Sequence, residues 1–434
     1  MDAESRRVAL RAAWTALAVS SAGLVLLLQA CLGAAAPAPP SPPPETRLSS
    51  PETLRPFFAA LADPGGRQGR GPLRIIQIGD SHSANDSFSG RLRQRFQDRF
   101  GAAGRGWLPA GVPYKYFRPQ LVKVSEEGWR HLKPSDHAGV ALGLDAVVAE
   151  GQPQPHDSTM TIESTEPGGF DRFGVEYLTR PDGSAFTVQV DGAAPIRVST
   201  AAAQTAVKRF DLPLERPALR VELRAAGRPP VDLLGWSVER RGPGVIYENH
   251  GTIGATVNLL GQITPQAVEF ELNDRRPALI VVAFGTNEGF ADALDLDRYA
   301  VRFEAAVAAL QRQAPGAAIL VLGPPDGNRH AQSCAPVAAC RPNGDECTWQ
   351  EPSHLAEVRS LQRRIANRQG WAYWDWFMAM GGACSIDRMT AAEPPLAMPD
   401  HIHLSKTGYE AMADMLFADL MGEFERWQAQ ARGS

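Results

Sequence analysis

The sequence lacks the short signatures that mark several large enzyme classes. It has no GxSxG nucleophile elbow, no HExxH zinc motif and no Walker phosphate loop. Long basic runs are also absent, and the net charge of the 434 residues is only −4, which gives no reason to expect nucleic-acid binding. With 44% hydrophobic and 21% charged residues, the composition is that of a globular protein of one large or two medium domains.

The first thirty residues differ from the rest. A basic start leads into an apolar run that ends Leu28-Gln29-Ala30-Cys31, which is typical of an export signal. The end of the run resembles a bacterial lipobox, and this resemblance implies that Cys31 carries lipid and becomes the mature N-terminus of a periplasmic protein. Because Leu32 replaces the aspartate of an inner-membrane retention signal, the resemblance implies an outer-membrane location. An uncleaved membrane anchor over residues 14–30 is the alternative, and both interpretations place the remaining chain outside the cytoplasm.

Cysteine is scarce, and four of the five cysteines are clustered late in the chain. No CxxC pair exists, which disfavours a structural zinc site. In an oxidising compartment the four predict two disulfides, with three possible pairings. The four are Cys334, Cys340, Cys347 and Cys384.

Apolar patterning divides the chain into segments. Residues 1–31 are predicted to be a signal peptide and residues 32–51 a Pro-rich tether. Short apolar runs at 73–78, 278–284 and 318–322 predict buried strands, and helical periodicity follows each of them. Such alternation predicts an α/β fold with a parallel sheet, assigned to residues 52–106 and 241–434.

The alternation of strand and helix patterns stops in the middle of the chain, residues 107–240. Helical periodicity disappears, and alternating segments such as 185–190 and 219–223 are separated by turn signals. We therefore predict that a β-sandwich is inserted into the α/β domain.

Three short motifs carry residues suited to chemistry, and each is expected at a strand exit. Ser81 follows the first strand in Gly-Asp-Ser-His and is a candidate nucleophile. Asn287 follows the strand ending at 284, and its amide is suited to donate to an oxyanion. Asp400 and His403 precede the last helix, where a carboxylate can orient an imidazole. Taken singly, each motif is equally typical of an ordinary turn, cap or loop.

The order of these motifs resembles the SGNH (GDSL) hydrolase superfamily. That resemblance implies a three-layer α/β/α sandwich and a Ser81–His403–Asp400 triad. The segment Asn249-His-Gly251-Thr-Ile-Gly254-Ala-Thr256 is similar to the second block of the superfamily, whose glycine N–H donates to the oxyanion. The resemblance assigns this role to Gly254, with Gly251 as the alternative, and adds Asn287 as the second donor. No cofactor or metal is implied, and His82 and His401 are interpreted as structural or substrate-contacting residues instead of metal ligands.

Longer segments are similar to one branch, the periplasmic peptidoglycan O-acetylesterases. These segments read GDSHSANDSFSGRLRQRF, FGAAGRGW, GTNEGF, WDWFMAMGG and DHIHLSKTGYEAMAD. Members of that branch carry a carbohydrate-module-like β-domain between the first and second blocks, where the predicted insert lies here. The resemblance thus implies removal of O-acetyl groups from the C6 hydroxyl of N-acetylmuramic acid in peptidoglycan.

Three other functions are compatible with the same motifs. An SGNH O-acetyltransferase would pass the acetyl group to a sugar instead of water. A lipase or arylesterase would act on small esters. A non-catalytic glycan-binding lipoprotein would use the β-insert for binding and the SGNH domain as a scaffold.

Overall fold

Within the described residues, strands and helices alternate up to residue 103 and again from residue 245, whereas the regular elements between them are all strands. The computed structural model describes residues 46–62, 71–134, 142–151, 158–225, 229–330 and 349–433. The strands are β1 Leu48–Ser49, β2 Leu73–Gly79, β3 Gly104–Pro109, β4 Val122–Glu127, β5 Trp129–Leu132, β6 Val148–Gly151, β7 Ser158–Ser164, β8 Phe170–Thr179, β9 Ala185–Val190, β10 Ile196–Ser199, β11 Ala206–Ala218, β12 Arg220–Ala225, β13 Asp232–Glu239, β14 Val245–Gly251, β15 Leu279–Ala283, β16 Ala318–Leu322, β17 Arg329–His330, β18 Trp349–Gln350 and β19 Ala372–Trp374. The helices are α1 Arg55–Ala62, α2 Ser81–Ala84, α3 Ser87–Phe100, α4 Pro265–Arg275, α5 Thr286–Gly289, α6 Leu296–Gln313, α7 Leu355–Gln369, α8 Trp376–Met380, α9 Ser385–Thr390 and α10 Lys406–Gly433, with 3-10 helices at Pro51–Leu54 and Val257–Gly261.

The central sheet has the strand order β1-β19-β16-β15-β2-β14, and every neighbouring pair is parallel except β1 with β19. Side chains of β2 alternate between two cores: Ile75 joins α1, α3 and α10 on one face, and Ile76 and Ile78 join α4, α6 and α7 on the other. Burial on both faces explains why these strands are nearly continuous apolar runs. The predicted α/β/α sandwich is confirmed.

Two antiparallel sheets lie between the first and second parts of the α/β layers in sequence. One has the order β10-β9-β12-β7-β4, and the other has the order β11-β8-β13-β6-β5, with β3 also paired to β13. Their facing sides share a third hydrophobic core, which includes Met160, Val188 and Trp236. This arrangement is the predicted β-sandwich.

Buried ion pairs connect the β-sandwich to the α/β layers. Arg74 on β2 lies 2.9 Å from both Glu239 on β13 and Glu248 on β14. Arg275 at the end of α4 lies 3.4 Å from Glu176 on β8. These side chains are almost fully buried, and a charge buried without its partner is strongly destabilising. The two parts therefore depend on each other for charge compensation.

The expected tether is wrong at its C-terminal end. Leu48 and Ser49 pair with β19, and the compact unit begins at Arg47, whose guanidinium lies 2.7 Å from the Asp419 carboxylate. Leu48 is buried in the core, so the last residues of a Pro-rich stretch are tied down by one apolar and one charged side chain.

Several predictions fall outside the described residues. Cys31, its export signal and residues 32–45 are among them, as are Cys334, Cys340 and Cys347, so lipidation and disulfide pairing stay predictions. Within the described ranges, no helix combines the length and the apolar character needed to cross a bilayer.

Candidate active site

Three parallel strands end side by side and place the candidate residues together. Gly79 at the end of β2 is paired with Gly251 on β14 and with Ala283 on β15. Backbone hydrogen bonds continue past these ends, from Asp80 N–H to the Ala283 carbonyl at 3.2 Å and from Thr252 N–H to the Gly79 carbonyl at 2.9 Å. The carboxyl edge of an open α/β sheet is where such folds carry their sites.

Ser81 is the first residue of the short helix α2. The N-cap residue Asp80 accepts a hydrogen bond from His82 N–H at 3.0 Å, which fixes the turn that presents Ser81. Glycine is required at position 79, two residues before Ser81, because a Cβ on Gly79 would lie 2.4 Å from Ser83 Oγ and 2.6 Å from the Ala283 carbonyl oxygen.

Ser81, His403 and Asp400 form one continuous hydrogen-bonded chain. Ser81 Oγ lies 2.8 Å from His403 Nε2, and His403 Nδ1 lies 2.7 Å from Asp400 Oδ2. The other oxygen of Asp400 accepts the N–H groups of Ile402 and His403 at 3.0 and 2.9 Å. Partial burial alone would raise the pKa of Asp400, but these hydrogen bonds from His403 and Ile402 outweigh it and hold the pKa below its ordinary value. The carboxylate thus stays charged and can orient the imidazole.

The two predicted oxyanion donors lie on segments that one hydrogen bond connects. Gly254 has φ +73° within a turn closed by Ala255 N–H on the Thr252 carbonyl at 3.1 Å, and it is exposed. Asn287 on α5 donates through Nδ2 to the Ala255 carbonyl at 2.8 Å. An amide nitrogen carries two hydrogens, so one remains for a second acceptor. The structure therefore brings Asn287 to the Gly254 loop, and both follow strands adjacent to β2.

A buried histidine lies directly behind the triad. His82 Nδ1 is 2.9 Å from the Tyr409 hydroxyl, and its ring centroid is 5.2 Å from that of His403. Burial, followed by the nearby His403, lowers the pKa of His82 to about 3, so this ring stays neutral. Its Nε2 has no hydrogen-bond partner among the described residues. The sequence places His82 next to the serine but carries no sign of its contact with Tyr409.

A second histidine holds the loop between the two last triad residues. His401 has φ +54°, a conformation that costs a non-glycine residue about 1–3 kcal/mol unless its surroundings impose it. Its Nδ1 is hydrogen-bonded to Asp387, and its carbonyl accepts Asn328 N–H at 2.8 Å. No local sequence signal points to Asp387 or Asn328, so the sequence alone does not predict these contacts of His401. Among the described residues, no cluster of three or more His, Cys, Asp or Glu could hold a metal ion.

Comparisons with known proteins agree with this architecture. Residues 217–411 match the profile of the GDSL-like lipase/acylhydrolase family; this span contains Gly254, Asn287, Asp400 and His403, whereas Ser81 precedes it. A solved peptidoglycan O-acetylesterase superposes with a TM-score of 0.70 at 24% identity, covering 89% of this chain and 100% of that one.

More distant matches carry no further argument. A family two carbohydrate esterase from Cellvibrio japonicus reaches a TM-score of only 0.29 at 13% identity, covering 74% of this chain and 98% of that one. No curated protein matches the sequence. Residues 217–411 are thus similar to the GDSL-like lipase/acylhydrolase family, and the chain shares the fold of the solved peptidoglycan O-acetylesterase.

Proposed function

We propose that this protein is a serine esterase that removes O-acetyl groups from a polysaccharide outside the cytoplasm, with the C6 O-acetyl of N-acetylmuramic acid in peptidoglycan as its substrate. The observation that carries the proposal is the Ser81–His403–Asp400 chain of hydrogen bonds, at 2.8 and 2.7 Å. The fold shared with a peptidoglycan O-acetylesterase supports the substrate class.

In the proposed mechanism, His403 Nε2 takes the proton of Ser81 as Oγ attacks the acetyl carbonyl. The tetrahedral oxyanion accepts hydrogen bonds from the N–H of Gly254 and from the second N–H of the Asn287 side-chain amide. Collapse breaks the bond to the sugar oxygen, which takes the proton from His403 and leaves as the alcohol. Water then attacks the acetyl-Ser81 ester with His403 again as base, giving acetate and the free enzyme.

The cell-surface setting is part of the same proposal. The export signal and the lipobox cysteine Cys31 support a periplasmic enzyme held by lipid at the outer membrane. The β-sandwich is proposed to be a carbohydrate-binding module, because it resembles the insert of the peptidoglycan O-acetylesterases in position.

Acetate release from O-acetylated peptidoglycan tests the proposal. The wild-type protein should release acetate, the Ser81→Ala variant should release almost none, and the Ser360→Ala variant, altered at an exposed serine of α7, should match wild type. If wild type hydrolyses 4-nitrophenyl acetate but releases no acetate from peptidoglycan, the esterase assignment would stand and peptidoglycan would be ruled out as the substrate. Equal activity of wild type and Ser81→Ala would remove the nucleophile assignment.

A second product measurement separates hydrolysis from transfer. With a glycan acceptor added, an acetyltransferase would form acetylated glycan at the expense of free acetate. We expect free acetate to remain the product.

A further inference from the structure

A cavity of about 230 Å³ lies where the β-sandwich meets the loop that carries Gly254. Its walls come from both sides: Tyr114, Lys133 and Asp145 belong to the inserted region, and Thr252 and Ile253 belong to the loop. The remaining apolar surface comes from three prolines and from Ala146 and Val147. The cavity is therefore formed only where the insert and the catalytic layers meet.

Two wall residues connect the cavity to the catalytic machinery. Ile253 directly precedes Gly254 in the chain. The Tyr114 hydroxyl donates to the carbonyl of Ala84 at 2.7 Å, and Ala84 ends the helix that starts at Ser81. A group bound in the cavity would thus adjoin both the nucleophile helix and the oxyanion loop.

Polar groups are held rigidly in this cavity. The carboxylate of Asp145 lies 2.9 Å from His250 Nδ1 and accepts Trp107 Nε1–H at 2.6 Å. Each carboxylate oxygen has a second lone pair, so Asp145 can still accept hydrogen bonds from a ligand. The backbone N–H of Thr252 is fixed on Gly79, but its buried Oγ1 has no partner among the described residues. Leaving a buried hydroxyl unpaired costs about 1–3 kcal/mol, which a hydroxylated ligand would recover.

We infer that this cavity is the subsite for a sugar ring on the alcohol side of the ester, and that Thr252, Asp145 and Lys133 bind its hydroxyl and other polar groups. The inference rests on the proposed function. An acetyl group has two carbons and would fill little of 230 Å³. A long acyl chain would press alkyl groups against the Asp145 carboxylate and the Lys133 ammonium, which is unfavourable because charged groups lose water without gaining hydrogen bonds. A sugar ring meets both demands: its C–H face packs on Tyr114, and its hydroxyls pair with the polar wall.

The test uses the disaccharide N-acetylglucosamine–N-acetylmuramic acid, free of O-acetyl groups, as a competitive inhibitor of 4-nitrophenyl acetate hydrolysis by the purified protein. Thr252→Val removes the hydroxyl at constant shape, and its inhibition constant should rise about 3- to 10-fold, the worth of one hydrogen bond. Thr252→Ser keeps the hydroxyl and should retain the wild-type constant. Lys133→Ala should also raise the constant. Arg312→Ala, at an exposed cation of α6 outside the cavity, should not.

Unchanged inhibition constants in Thr252→Val and Lys133→Ala, or no inhibition of wild type by the disaccharide, would overturn the subsite. The subsite would also be overturned if Thr252→Val hydrolysed octanoyl esters faster relative to acetyl esters than wild type does, because the cavity would then hold the acyl chain. The proposed function fails separately. If the disaccharide constant depends on Thr252 but wild type releases no acetate from peptidoglycan, the subsite stands and the proposed substrate falls.

Discussion

The indole of Trp349 stacks on the imidazole of His401, with ring centroids 3.7 Å apart and planes 12° from parallel. At the ring edge, Nδ1 of His401 is hydrogen-bonded to the buried Asp387, which also accepts Asn328 Nδ2–H at 2.7 Å. The residue between Asp400 and Ile402 is thus fixed by an aromatic face and a buried carboxylate. We interpret His401 as a positioning residue that holds Asp400 and His403 in place.

Replacing His401 with alanine should lower kcat for 4-nitrophenyl acetate about 10- to 100-fold with little change in KM. A small displacement of a catalytic group costs this much in rate. His401→Asn should recover most of the activity, because asparagine tolerates positive φ and its amide can reach a carboxylate. His354→Ala, which removes a half-buried histidine paired with Glu357, serves as the control. Equal kcat values in wild type and His401→Ala would contradict the positioning role.

Replacing Asn287 with alanine should reduce kcat about 10²- to 10³-fold, the usual cost of losing one oxyanion donor. KM should change little, because the interaction strengthens only as charge develops on the carbonyl oxygen. The matched control is Asn258→Ala, at an exposed asparagine. Full turnover by Asn287→Ala would show that the amide serves only to hold the Ala255 carbonyl.

Replacing Asp86 with alanine should lower the free energy of unfolding by about 3–5 kcal/mol. The Asp86 carboxylate lies 2.8 Å from Arg93 and 3.3 Å from Arg105, and both guanidinium groups are almost fully buried. Without it, two buried cations lose their shared partner. Asp98→Ala, at an exposed position of α3, should stay within about 0.5 kcal/mol of wild type in denaturant titrations. Equal losses of unfolding free energy in the two variants would argue against a stabilising role for the buried Asp86 ion pairs.

The stability of the protein should fall as pH rises from 6.5 to about 9, in part through His250. Burial alone would lower the pKa of this histidine, but Asp145 and then Glu248 outweigh it and raise the pKa from 6.5 to about 9. The folded state therefore keeps a proton that the unfolded state releases, so the contribution is complete below pH 6.5 and lost through pH 9.

Denaturant midpoints of wild type and His250→Gln across this range isolate the effect, because glutamine does not titrate. Burial raises the pKa of Glu271 to about 8, and this group acts in the same direction in both proteins. The curve of the variant should be flatter between pH 6.5 and 9. Parallel curves would mean that His250 takes no part.

Much of the fold could be predicted from the sequence because its signals are local. The strand expected at 73–78 is observed as Leu73–Gly79, and the periodic segment from Leu296 forms the helix Leu296–Gln313. Strands buried on both faces and helices with one apolar face each have a short repeating pattern. The residues of the triad lie at the strand exits or loop where the motifs were found, and their catalytic roles stay predictions.

The supporting contacts could not be predicted, because their partners are far apart in the sequence. Trp349 and His401 are separated by more than fifty residues, and no periodicity relates them. Nothing in the sequence marks Asp86, Arg93 and Arg105 as partners, whereas the fold buries all three together. Leu48 and Ser49 form a strand of two residues, too short to stand out beside a Pro-rich segment.

The buried ion pairs that connect the β-sandwich to the α/β layers limit how this protein can be rearranged. Excising the β-sandwich would remove Glu239 from Arg74 and Glu176 from Arg275, so deleting it or exchanging it for that of a relative would leave buried arginines in the α/β layers short of partners. A chimera would need the partners of β2 and β14 transferred with the insert. The β-sandwich and the strands it rests on would therefore have to be exchanged together.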